Sequence, residues 1–138
     1  MLVNLLGCGD GRPARVPFAG QVLIDGKPLT AGFVRVVPDN ARPATGEIDS
    51  TGHFRLTTFE GDDGCVVGRH PIEIIARKSL NPTSIQWLTP IKYQDATTSG
   101  LTIEVTKPVE DYKIELSWNG EQPTIEQTFT AGDTPSPE

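Results

Sequence analysis

Residues 20–56, GQVLIDGKPLTAGFVRVVPDNARPATGEIDSTGHFRL, read as consecutive β-strands punctuated by glycine turns. Asp25-Gly26 is a dipeptide that tolerates the positive φ angles of a tight hairpin, and it is flanked by Gln21-Val22-Leu23-Ile24 and a second apolar run. Pro28 falls just after the turn, where its missing N–H does little harm. Val34 and Val36 then alternate with Phe33, Arg35 and Val37 until Pro38 ends the run, and a period of two is the mark of a pleated ladder. Beyond the Asp49-Ser50-Thr51-Gly52 turn, Phe54 and Leu56 point one way while His53, Arg55 and Thr57 point the other.

The same alternation continues downstream. Ile72, Ile74 and Ala76 are interleaved with Glu73, Ile75 and Arg77; Leu101, Ile103 and Val105 with Thr102, Glu104 and Thr106; and Tyr112, Ile114, Leu116 and Trp118 with Lys113, Glu115 and Ser117. No apolar pattern at i, i+3, i+4 is sustained. The expected fold is therefore all-β, a Greek-key sandwich of two antiparallel sheets with about seven strands. Residues 16–118 form this domain, 1–15 precede it as a tether, and 119–138 follow as an acidic, partly disordered tail.

The pattern G-x-V-x-x-D-G-K-P-L-x-x-G-x-V-x-x-x-P over residues 20–38, with D-x-x-G-x-F-x-L over residues 49–56, resembles the carboxypeptidase regulatory-like domain. That resemblance implies a transthyretin-like (prealbumin-like) β-sandwich. Residues 68–75, GRHPIEII, look like the G-x-Y-x-V-x-V strand of that family, with His70 where an aromatic is usual. The Lys92-Tyr93 and Ser99-Gly100-Leu101 segments resemble those of short lipoproteins common in planctomycete bacteria. The likeness covers roughly residues 16–118 and speaks to fold more than to activity, because sandwiches host unrelated functions. The family name carries no peptidase activity here: that domain is an accessory to the peptidase, and the chain has no zinc-binding H-x-x-E.

Composition bounds the remaining choices. The chain has 138 residues, a length that suits one domain able to bury its own core. Fourteen glycines and twelve prolines fit a turn-rich β protein. A formal charge of −6, with no basic stripe, weighs against nucleic acid as a partner, since phosphates require a basic surface.

At the N-terminus, Leu5-Leu6-Gly7-Cys8 resembles the lipobox of bacterial lipoproteins, in which the cysteine is acylated and becomes the first mature residue. The resemblance implies lipid attachment at Cys8, a membrane partner through that anchor, and a cell-envelope address, periplasmic or outer-surface. The apolar run before Cys8 is shorter than a full signal peptide's and lacks a positive n-region, so an apolar N-terminus with an incidental cysteine is the competing reading. If Cys8 is acylated, the next residues are a short Gly-, Pro- and Arg-containing tether, and the domain stands in water beside the membrane. Cys65, the second cysteine, is expected as a small packed residue rather than a nucleophile, since no activating base accompanies it. A Cys8–Cys65 disulfide competes with lipidation for the same thiol.

Candidate chemistry is thin. His53, His70, Tyr93 and Tyr112 make a two-His, two-Tyr inventory of the kind that holds non-haem iron in intradiol dioxygenases, but the histidines lack the one-residue separation found there. Glu60-Gly61-Asp62-Asp63-Gly64 offers hard oxygen ligands on a flexible loop without EF-hand spacing, and a solvated acidic loop is the simpler reading. No catalytic residue, metal site or cofactor is expected, because no nucleophile with a base and no paired acid and base appears. Residues 78–95, KSLNPTSIQWLTPIKYQD, form an unusually long connection. Its Trp87 and Tyr93 are the candidate ligand-binding residues, able either to stack on a sugar or to plug the open end of the sandwich. In the tail, Ile125 and Phe129 are the residues able to dock as an edge strand. Two functions remain: a non-catalytic, lipid-anchored envelope module with a structural or protein-binding role, with strand addition at a sheet edge as one mode, and a carbohydrate-binding module using Trp87 and Tyr93.

Overall fold

The computed structural model describes residues 14–123 and 125–127. Alternation becomes strand along this whole length: β1 (Arg15–Val16), β2 (Phe18–Ile24), β3 (Lys27–Pro28), β4 (Phe33–Val36), β5 (Ala44–Glu47), β6 (His53–Arg55), β7 (Cys65–Val66), β8 (Gly68–Ile75), β9 (Arg77–Asn81), β10 (Ser84–Trp87), β11 (Thr102–Val105), β12 (Val109–Leu116) and β13 (Ile125–Gln127). Among the described residues the one named helical element is a single 3-10 turn, Ile91–Gln94.

Asp25 and Gly26 both take positive φ, 50° and 82°, which sets the right-handed twist that lets β2 return at once as β3. Leu23 and Ile24 pair with Pro28 and Lys27. One sheet has the order β11-β8-β4-β5, with every neighbouring pair antiparallel. The other is built on β2, with β12 along one side and both β3 and β6 along the other. An isolated bridge between Thr45 and Thr57 ties the β5 side of the first sheet to the β6 side of the second.

The two sheets pack their dry faces together. Val34, Val36, Ile72, Ile74, Ile103 and Val105 come from one sheet; Val22, Phe54, Ile114 and Leu116 come from the other, and all join a single buried cluster with Leu56 and Leu29. These are the residues whose alternation marked the strands, and Phe33, Arg35, His53, Arg55, Lys113 and Glu115 lie on the solvent side as expected. Burying one such aliphatic side chain is worth roughly 1.5–3 kcal/mol, so this one cluster carries most of the folding drive.

Two expectations are corrected. The described residues contain thirteen strands rather than about seven, because short ladders are added to the sandwich: β1 with β7, β3 beyond the first turn, and a third sheet of order β13-β10-β9. The second sheet is also not wholly antiparallel. The chain leaves β11 on one sheet and enters β12 on the other, and β12 then runs parallel to β2 from Val109↔Phe18 to Leu116↔Ile24. A crossing between sheets sets the direction of a strand independently of local hairpin rules, and alternation alone says nothing about direction.

Candidate functional site

Trp87 and Tyr93 are both buried, at 3 % and 6 % exposure. Trp87 ends β10, and the guanidinium of Arg77 on the neighbouring strand lies 5.6 Å from its ring centre. Its indole Nε1 is buried without a hydrogen-bond partner among the described residues. Tyr93 lies in the 3-10 turn and joins the central apolar cluster. Its hydroxyl donates to the Ser117 carbonyl at 3.4 Å and accepts from the Ser117 amide at 3.3 Å, while Lys92 Nζ sits 5.1 Å from the ring centre. Tyr93 plugs the sandwich, Trp87 is buried beside Arg77 on the β9–β10 hairpin, and the stacking surface on which a carbohydrate reading depended is not formed by these rings.

Cys8, the candidate lipid attachment residue, lies outside the described residues, as does Phe129. Cys65 is a free, fully buried thiol at the start of β7. Burial lifts its pKa from 9.0 to about 11, the opposite of what a nucleophilic cysteine needs. The four candidate iron ligands make four separate contacts. His53 is exposed beside Thr51, His70 is buried against Val66, Tyr93 plugs the core, and the ring of Tyr112 lies 5.3 Å from that of Phe18.

A groove of about 320 Å³ is lined by the charged and titratable residues Glu47, Asp49, His53, Arg55 and Glu110. Asp49 Oδ1 accepts from the Thr51 hydroxyl at 2.7 Å and from the amides of Thr51 and His53 at 2.9 and 3.0 Å. Those bonds, the Thr51 hydroxyl first, hold the Asp49 carboxyl below the usual range. Because that hydroxyl donates to the carboxylate, the 2.8 Å contact between its oxygen and His53 Nδ1 makes the imidazole the donor there. Arg55 is engaged by Glu110 at 2.9 Å, an exposed pair of small energetic worth. This network organises a turn, and it offers no nucleophile.

The acidic loop also organises itself. Asp63 accepts from the amides of Thr58, Phe59 and Glu60 and pairs with Arg15 at 3.0 Å. Desolvation pushes its pKa upward, but the three amides and Arg15 outweigh that and hold it low. Asp62 accepts from the Thr57 hydroxyl. Two of the three carboxylates that were candidates for a cation, Asp62 and Asp63, are thus engaged by groups of this loop and by Arg15.

The segment expected as a long loop is largely hairpin. Asn81 Oδ1 accepts from the amide and hydroxyl of Thr83, closing an Asx turn across Pro82, and β9 pairs back onto β10 from Arg77↔Trp87 to Ser79↔Ile85. β13 covers the far side of β10, but among the described residues β9 pairs with β10 alone. All five residues of β9 are exposed. The Leu88 amide bonds the Ala76 carbonyl at 2.8 Å, which makes 76↔88 a hydrogen-bonded pair; by alternation Lys78 is bonded to β10, while the N–H and C=O of Arg77 and Ser79 face the open side.

Arg77, Lys78 and Ser79 are not legible as binding residues in the sequence. The Asn81-Pro82-Thr83 turn between two four-residue runs was the signal available for the hairpin, and it was masked by the polarity of the flanking residues. Comparisons with protein-family models, with curated proteins and with solved structures found no match.

Proposed function

We propose that this chain is a non-catalytic, lipid-anchored cell-envelope module that binds an extended acidic segment of another envelope protein along β9. The observation that carries this reading is the edge of β9 that is open among the described residues, with the backbone groups of Arg77 and Ser79 directed outward. An edge left with unpaired N–H and C=O groups is a template for an added strand, and main-chain hydrogen bonds then supply affinity while side chains supply selectivity. Two cations, Arg77 and Lys78, stand on this edge of a chain whose formal charge is −6, and Leu80 beside them is 43 % exposed. An acidic, extended partner with an apolar side chain matches that surface.

The lipobox-like Leu5-Leu6-Gly7-Cys8 supports an anchor a few residues before Ala14, whose carbonyl accepts from the Val67 amide and so starts the folded domain. The same proposal takes residues 16–118 as an isolated carboxypeptidase regulatory-like domain, supported by the sandwich of two facing sheets and by the Asp25-Gly26 hairpin where the family motif has its D-G. A glycan-binding role has less in its favour, since Trp87 and Tyr93 are buried.

Proximity labelling from the membrane-bound protein tests the edge. Ser79→Pro removes an outward N–H without touching the bonds to β10, so it should keep the unfolding midpoint and lose the labelled partner. Unchanged labelling by that variant would reject β9 as the binding element. The intact mass of membrane-extracted protein tests the anchor separately: diacylglyceryl mass on Cys8 is expected, and an unmodified Cys8 rules it out.

A further inference from the structure

The chain that leaves β12 closes at once into a tight turn. Asn119 and Gly120 both take positive φ, 53° and 82°, and the Glu121 amide donates to the Trp118 carbonyl at 3.0 Å, which is the type I′ geometry that an Asn-Gly pair favours. The Asn119 amide donates to Ser117 Oγ at 2.9 Å and steadies the entry to the turn. Residues that flank a two-residue turn of this type stand opposite each other and share a face, so Trp118 and Glu121 project together. Trp118 is half-buried, yet it lies outside the central apolar cluster that takes up Tyr93.

The start of the 3-10 turn faces this one, and the two bonds between the Tyr93 hydroxyl and the Ser117 backbone, 3.4 and 3.3 Å, tie the segments together. Between them lies a groove of about 270 Å³, with Pro90, Ile91 and Lys92 on one wall and Trp118, Asn119 and Glu121 on the other. Lys92 Nζ, 5.1 Å from the Tyr93 ring centre, is held over the residue that joins the two walls. Among the described residues no ion pair links Lys92 to Glu121, and neither the Glu121 carboxylate nor the Asn119 side-chain amide has a hydrogen bond. The groove therefore sets an indole beside an acceptor-only group, a donor-only group and an amide that does both.

We propose that this groove binds one pyranose ring of a glycan. Sugar hydroxyls donate to the Glu121 carboxylate and accept from Lys92 and Asn119, so an uncharged ring serves all three groups, and its C–H face covers the indole. A simple ion would satisfy one of the two charged groups and be opposed by the other. The volume lies just below the roughly 300–1,000 Å³ of sites for drug-sized ligands, which suits a single ring. This site is separate from β9 and from the anchor, and it uses neither Trp87 nor the Tyr93 ring as a stacking surface.

The test is NMR titration of the unlipidated full chain with methyl β-D-glucopyranoside and, in parallel, with N-acetylglucosamine, read at the Trp118 indole N–H and the Gly120 amide. A saturable shift of both resonances at millimolar sugar is expected with at least one of the two, while the Trp87 indole resonance holds. Glu121→Ala, an exposed substitution, should weaken binding by about tenfold or more, the worth of one hydrogen bond to a charged group. Trp118→Ala, read at Gly120, should abolish binding, with an unmoved Trp87 resonance reporting an intact fold. Sorbitol, which has comparable hydroxyls and no ring face, should leave both resonances in place, and Ser79→Pro should bind sugar as the wild type does. Absence of a saturable shift with both sugars overturns the proposal. So does an equal response to sorbitol, or wild-type affinity in Glu121→Ala or Trp118→Ala.

Discussion

Cys65 illustrates how burial sets chemistry at a single atom. Its thiol is enclosed at the β7 start, beside the ladder that β1 makes with β7, and the apolar surroundings disfavour the thiolate enough to raise its pKa from 9.0 to about 11. The folded protein therefore holds this proton more tightly than the unfolded chain. Its contribution to stability is complete below pH 9 and is lost as the pH rises through about 11. Urea unfolding followed across that window should show wild-type stability falling relative to Cys65→Ala, with a constant difference between the two at lower pH. Asp63, a few residues away, is legible in sequence only as one carboxylate of an acidic cluster. Its three amide donors and its Arg15 partner come from the way the loop closes over the end of β1.

Segments 77–87 and 125–127 show how an element can be hidden by the polarity of its own residues. β9 reads Arg-Lys-Ser-Leu-Asn, which has neither a buried face nor a period of two, because a hairpin that projects from the sandwich has no core to alternate against. The strand exists because the Asx turn at Asn81 and the ladder to β10 fix it, and β13 joins the opposite side through Ile125↔Gln86, Glu126↔Ile85 and Gln127↔Ser84. Since Gln86 is bonded toward β9, the Ile85 N–H is directed toward β13. Truncation after Pro123 should abolish hydrogen-exchange protection at Ile85 while leaving Gln86 protected by β9. Loss of protection at both would mean that the hairpin itself depends on the tail.

The whole molecule divides its apolar residues between a closed interior and a few surface positions, and the two respond differently to substitution. Ile74 is fully buried between the sheets, so Ile74→Ala should lower stability by about 2–5 kcal/mol, whereas Phe33, 46 % exposed on the outer face of β4, should tolerate Phe33→Ser within about 0.5 kcal/mol. Chemical denaturation of the two variants makes the comparison; a large loss at Phe33 would show that this face is covered. Alternation along the chain determined the strands of the sandwich, their dry and wet faces and the hairpin at Asp25-Gly26, because a period of two and a turn's φ angles are local properties. Which way β12 runs beside β2, the burial of Trp87 and Tyr93, and the pairing of β13 with β10 were decided by tertiary structure. Each depends on where distant segments cross, and local periodicity carries no record of that.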